Sequence, residues 1–179
     1  MTHLSGDNPA GHGDRTVHSL YFSPAEDRAN VLTHAVGFGL SLIVMQQLWE
    51  RTSTSPTGLR ITCQVFALSL SAVYLFSTLS HAFQEPKLRN QLRAWDQGTI
   101  YLLIVGTYSP FVWQGSHGWL RVTLLLLTWG VALSGFFAKV IGRHRINAVA
   151  VITYLLLGWV PALPLIRTTP VSYTHLTLP

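Results

Sequence analysis

An all-α bundle of membrane-spanning helices is the fold class this chain predicts, and three observations predict it. Hydrophobic residues fill 49% of the 179 positions while charged residues fill only 11%, less than half the charged share of an average soluble domain. Mean hydropathy is positive, at +0.33. The apolar residues are gathered into five long runs, near residues 29–49, 59–83, 99–113, 119–140 and 146–166. Each approaches the roughly 20 residues that carry an α-helix across about 30 Å of hydrocarbon, where a helix satisfies its own backbone hydrogen bonds.

The first 23 residues, rich in Gly, His and Asp and without apolar periodicity, are expected to form a mobile leader ahead of a membrane domain at 24–166. The leader ends on a helix-start signal: Ser23 suits the cap, Pro24 the first helical position, and Glu26 the capping box. The first apolar run lies too far in and is too long for a signal-peptide core, so it predicts a retained span. Along it Glu26, Asn30, Thr33, His34, Gly37 and Ser41 recur three or four residues apart, which lays them on one stripe. Lipid offers such a stripe no hydrogen-bond partner, so it should face other helices, either as ordinary interhelical contact or as part of a site.

The single cysteine, Cys63, falls inside the second run and excludes an intrachain disulfide framework. In the third run Gly106 and Pro110 predict close packing or a kink, and Gly158, Pro161 and Pro164 do the same in the fifth. Trp49, Trp95, Trp113, Trp119 and Trp159 stand mostly near run ends, as an interfacial aromatic belt requires. No phosphate-cradling glycine loop, dinucleotide fingerprint or nucleophile elbow occurs in a strand-to-helix setting.

The net charge of +5 is dispersed among loops and does not form a nucleic-acid footprint. Its placement reports orientation. With the amino terminus in the cytoplasm, Arg15, Arg28, Lys87, Arg89, Arg93, Lys139, Arg143 and Arg145 lie inside, against Arg51, Arg60, Arg121 and Arg167 outside. Basic residues prefer the cytoplasmic side, so this count predicts an inward amino terminus.

Polar chemistry gathers at one place. Ser77 and His81 are four residues apart at the inner end of the second run, so they share a face one turn from each other. The connector from Gln84 to Trp95 then returns the chain to Asp96 on the same side of the membrane, where Asp96 can meet His81. A neutral imidazole is a good zinc ligand, a carboxylate can hold a metal-bound water, and a hydroxyl can add a hydrogen bond. The structural alternatives are that Asp96 caps the third helix and that His81 complements the second helix's carboxyl end. His117 and His144 read as solvated loop residues, and His3, His12 and His18 lack a regular ligand spacing.

Three segments, in order, carry a resemblance. Glu26-Asp-Arg-Ala-Asn30-Val-Leu-Thr33-His34-Ala-Val-Gly37, then Ser77-x-x-x-His81, then Asp96 through Gly106-Thr-Tyr-Ser-Pro110 closely resemble the hemolysin III branch of the progestin and adipoQ receptor (adiponectin receptor-like) family. The likeness runs from about Pro24 to Ile166 and takes in Lys139 and the stretch from Tyr154 to Trp159. It implies a seven-helix membrane bundle, of which five spans are present, with a cytoplasmic amino terminus and a zinc ion near the cytoplasmic face. By that likeness His81 is a direct ligand, Asp96 contacts the metal through water, and Ser77 lies beside them. The family's other two ligands belong to a His-x-x-x-His motif in the seventh helix, which this chain lacks. His175 stands alone, and the polar tail at 167–179 is expected to be non-native from about Val171, on a carboxyl-terminally truncated chain.

Two functions follow from the resemblance. One is a zinc-dependent, ceramidase-like hydrolysis of a membrane lipid amide, with Asp96 moving the proton and Ser77 stabilising the oxyanion. The other is a membrane sensor or pore-associated cytolytic protein in which zinc staples helices. In both the expected partners are membrane lipids, and the expected location is a bacterial inner membrane.

Overall fold

The computed structural model describes residues 24–142 and 147–159, and the regular structure in them is entirely helical. In chain order the helices are α1 (Pro24–Arg51), α2 (Thr57–Ala82), α3 (Pro86–Gly115), α4 (Gly118–Val140) and α5 (Asn147–Trp159). Connections of five, three and two residues separate the first four, short enough that consecutive helices must run antiparallel and side by side. α1 packs on α2, α2 on α3 and α3 on α4, while α5 lies chiefly against α3. α3 is therefore the hub.

α1, α2 and α4 are long and apolar enough to cross a membrane. α3 has 30 residues, but its first three turns carry Lys87, Arg89, Arg93 and Asp96 and dilute its apolar character. Its apolar part is the short third run of the sequence, and the charged turns extend that run on one side only. The expected capping residue Ser23 and the fifth run beyond Trp159, with Pro161 and Pro164, lie outside the described residues, as do His3, His12, His18, His144 and His175.

The start of α3 corrects the reading of Gln84 to Trp95 as a connector. Only Phe83, Gln84 and Glu85 are outside the helices. Glu85 caps α3, its carboxylate accepting from the backbone N–H groups of Lys87 at 3.1 Å and Leu88 at 2.6 Å, and Pro86 takes the first helical position. Proline there costs nothing, because that N–H has no intrahelical partner in any case. Asp96 consequently sits inside the helix and is not its cap.

The core gathers on α3, where Tyr101 and Val105 meet Ala132 of α4 and Leu157 of α5. Several polar side chains within the spans find partners in one another. The Trp129 indole donates to the Ser109 hydroxyl at 3.1 Å, and Tyr101 shares a 2.7 Å hydrogen bond with Thr153. Many large apolar side chains point outward instead, among them Leu32, Val36, Leu40, Leu126 and Leu127. That is the arrangement a lipid solvent permits, since hydrocarbon gives no reason to bury them.

Without a hydrophobic drive between helices, small residues set how closely they approach. Gly106 of α3 does so against Ser69 and the Phe66 backbone of α2, the close packing its position predicts. About two turns farther along α3, toward the end of this pair, Gly58 of α2 lies beneath the Trp113 ring, so that any added Cβ would overlap the indole. Trp113 is itself covered by the Arg121 guanidinium at 4.3 Å and has little room to yield. Gly58→Ala is expected to cost about 1–3 kcal/mol through overpacking, read as a lower melting temperature in detergent. Gly39→Ala, where nothing lies within reach of a Cβ, should be neutral or slightly stabilising through helix propensity.

Candidate functional site

At the end of the bundle where α1 begins, α2 ends and α3 begins, three helices each present polar side chains to the same place. On α1 these are Asp27 and His34, seven residues apart on one face. On α2 they are Ser77 and His81. On α3, Arg89, Arg93 and Asp96 follow each other at four and three residues and so line one stripe. The short loop at 83–85 brings α2 and α3 together, and α1 lies along α2 throughout.

His81 is held by a carboxylate, although not the one the sequence points to. Its Nδ1 lies 2.9 Å from Asp27 Oδ1. Asp27 is in turn clasped by Arg89, whose Nη2 donates to both carboxylate oxygens at 2.6 and 2.7 Å, while Arg89 Nη1 donates to Gln84 Oε1 at 2.9 Å. Asp27 and Arg89 are buried, at 5% and 3% exposure, so this charge pair joins α1 to α3 with little solvent to screen it. Asp96, on the next turns of α3, lies near Ser77 and within electrostatic reach of His81, His34 and Arg93. The His34 and His81 rings are parallel within 3°, their centroids 6.2 Å apart. The chain thus gathers two imidazoles, two carboxylates, a hydroxyl and two guanidinium groups at one bundle end.

The stripe on α1 divides. His34 faces Tyr74 and His81, and Ser41 is buried with its hydroxyl 2.9 Å from that of Ser71. Thr33 is exposed and returns its hydroxyl to the Ala29 carbonyl of its own helix at 2.9 Å, and Glu26 is exposed as well. Asn30 is half-buried. His34 is therefore the stripe residue nearest the chemistry, and the stripe's lower end serves interhelical packing.

Asp27 and Arg89 are the two residues that sequence reasoning missed. Asp27 lay inside a recognised segment without being singled out, and Arg89 counted only as a charge reporting orientation. A signal was present: Asp27 precedes His34 by two turns on its face, and Arg89 precedes Asp96 by two turns on its own. An acid and a base entering the bundle on one side of a membrane, on the two helices that flank α2, are natural partners.

The Cys63 thiol is half-buried within α2, away from this cluster. A second polar group adjoins it on α3, where Gln97 accepts from Lys139 at 3.2 Å and its carbonyl accepts from the Tyr154 hydroxyl at 2.7 Å. Lys139 is 7% exposed.

Among the described residues, no three His, Cys, Asp or Glu side chains are grouped so as to hold a metal ion. His81 and Asp96 supply one imidazole and one carboxylate, short of the three protein ligands usual for catalytic zinc.

A family model described as Haemolysin-III related matches residues 22–177. Hemolysin-3 of Bacillus cereus is 34% identical over 135 residues, 75% of this chain and 62% of the relative. A Hemolysin-3 homolog of Bacillus subtilis strain 168 is 33% identical over 140 residues, 77% of this chain and 65% of the relative. The chain thus spans under two-thirds the length of these curated relatives. No solved structure matches it. Long apolar helices, the family match and identity over three-quarters of the chain together assign it: this is an integral membrane protein belonging to the haemolysin III family.

Proposed function

We propose that the intact protein holds zinc at the bundle end where Asp27, Ser77, His81 and Asp96 converge, with His81 as a direct ligand and Asp96 contacting the metal through water. The observation that carries this reading is the Asp27–His81 bond. Histidines that bind metals usually give their other ring nitrogen to a carboxylate or carbonyl, which fixes the tautomer and raises ligand basicity. With Nδ1 committed to Asp27, coordination falls to Nε2. Among the described residues the donors are incomplete, and the resemblance to adiponectin receptor-like proteins assigns the remainder to a later helix. Zinc supplies Lewis acidity or a structural staple when bound.

Elemental analysis of the full-length protein, purified without added metal, tests the proposal. It predicts about one zinc per chain, and a preparation that is folded, metal-free and unable to take up zinc on dialysis would overturn it.

A second reading, hydrolysis of a lipid amide, is favoured by one juxtaposition. Ser77 lies near the Asp96 carboxylate, which sets a hydroxyl close to a group that can hold a proton. Release of fatty acid from a fluorescent ceramide by the full-length protein supports this reading. Dye leakage from vesicles without lipid cleavage supports the cytolytic reading that the names of the Bacillus relatives carry.

Both readings place the site at the cytoplasmic face of a bacterial inner membrane. What supports this is the basic balance: Arg28, Lys87, Arg89, Arg93 and Lys139 lie toward the site end, against Arg51, Arg60 and Arg121 at the other. Reporter fusions after Arg51 and after Ala82 test it, with the second expected on the cytoplasmic side.

A further inference from the structure

The end of the bundle opposite His81 holds a different combination of features. Between the last turns of α1 and the first turns of α2 lies a cleft of about 310 Å³, lined by Leu42, Met45, Gln46, Trp49 and Gln64. Beside it the Arg60 guanidinium is stacked over the Trp49 ring at 3.7 Å. Arg60 is half-buried, its Nε has no hydrogen-bond partner, and no carboxylate among the described residues pairs with it. Glu50, the nearby acid on α1, is exposed and accepts from the Gln46 amide at 2.7 Å. The first turn of α2 carries no acidic residue and receives no side-chain cap from Pro56, so the positive end of the helix dipole adds to the arginine's field.

We propose that Arg60 and this cleft form a subsite for an anionic phospholipid, the phosphate on the guanidinium and the upper acyl chain along Leu42, Met45 and Trp49. Each part follows from the chemistry. A guanidinium stacked on an aromatic face keeps its in-plane N–H groups free of the ring, and with Nε buried the pair of terminal Nη groups supplies the fork that matches a phosphate. Trp49 and the amides of Gln46 and Gln64 mark the headgroup level, where indoles and polar side chains settle. The apolar wall begins there and continues into the span. A free phosphate would use only the arginine, whereas a phospholipid uses the whole cleft, and a spanning helix pair is always in contact with lipid. The subsite depends only on the membrane placement of α1 and α2 and is independent of the zinc reading.

Native mass spectrometry of the full-length protein in detergent, titrated with phosphatidylglycerol or phosphatidylcholine of the same acyl chains, tests it. Wild-type protein is expected to retain phosphatidylglycerol at least several-fold better. Arg60→Gln should cut that retention about tenfold, the loss of about 1.4 kcal/mol expected for one charge-assisted contact. Arg121→Gln removes a guanidinium that is also stacked on tryptophan but donates to the Ser116 carbonyl at 2.8 Å, and should leave retention within twofold. Met45→Trp fills the cleft without touching charge and should weaken both lipids, which keeps the test open if Arg60→Gln fails to fold. Equal retention of the two lipids by wild type, an unaffected Arg60→Gln protein or an equal loss in Arg121→Gln overturns the subsite. So does full displacement of phosphatidylglycerol by millimolar glycerol phosphate, which would mark a headgroup-only anion site.

Discussion

Arg89→Ala is expected to destabilise the protein by about 3–5 kcal/mol, the range for removing one partner of a buried ion pair. The cost arises less from the lost attraction than from what stays behind. Asp27 would keep its 5% exposure and lose the guanidinium nitrogen that satisfies both of its oxygens, leaving a charge in a poorly hydrated place beside His81. Relaxation is limited because Asp27 sits in the first turn of α1 and Arg89 in the first turn of α3, so bringing water to the carboxylate means prying α1 from the bundle. Thermal unfolding in detergent is the measurement. The double variant Asp27→Leu/Arg89→Met should recover most of the loss, because well-packed apolar side chains often replace a buried pair at little cost. The cycle of single and double variants isolates the pair's coupling. Lys87→Ala, two positions away and exposed, is the control and should change little. A melting temperature for Arg89→Ala equal to that of wild type would show that the pair holds nothing together.

This pair also marks where sequence reading stops. The helices were legible because membrane crossing demands long apolar runs, a requirement that survives without any tertiary information. The gathering of Ser77, His81 and Asp96 at one end was reachable by counting turns and assigning sides, since a hairpin must return to the face it left. The choice of carboxylate for His81 was not. Asp27 and Asp96 stand on the same side of the membrane, and only the lateral order of helices, with α2 between α1 and α3, decides which of them meets Nδ1. The start of α3 was obscured for a related reason. Lys87, Arg89 and Arg93 read as a solvated connector, yet Leu88, Leu92 and Trp95 at four- and three-residue spacing give the same segment an apolar face. Trp95 meets Phe76 of α2 at 5.0 Å and Phe136 of α4 at 5.4 Å, so tertiary packing makes a helix of a stretch whose charges conceal it. Arg60 escaped notice because an arginine near a helix end is ordinary, and only its stacking on Trp49 beside a cleft distinguishes it.

In the full-length protein, Asp27→Asn is expected to weaken zinc binding by about 10–100-fold, the usual effect of removing a carboxylate behind a ligating imidazole, while His81→Ala should abolish it. Asparagine keeps the volume and one oxygen for Arg89, but its amide no longer favours a proton on His81 Nδ1, so the imidazole loses both its fixed tautomer and part of its basicity. Chelator competition at constant pH gives the affinity directly. Stability could confound the result, since Asp27 also anchors α1, and Arg89→Gln separates the two roles. If Asp27 matters only as an anchor, Arg89→Gln and Asp27→Asn should weaken zinc in proportion to their losses in melting temperature. If it orients the ligand, Asp27→Asn must weaken zinc more than Arg89→Gln at equal stability. Equal zinc affinity in Asp27→Asn and wild type would leave the 2.9 Å bond between α1 and α2 as an anchor alone and would remove the observation on which the zinc proposal stands.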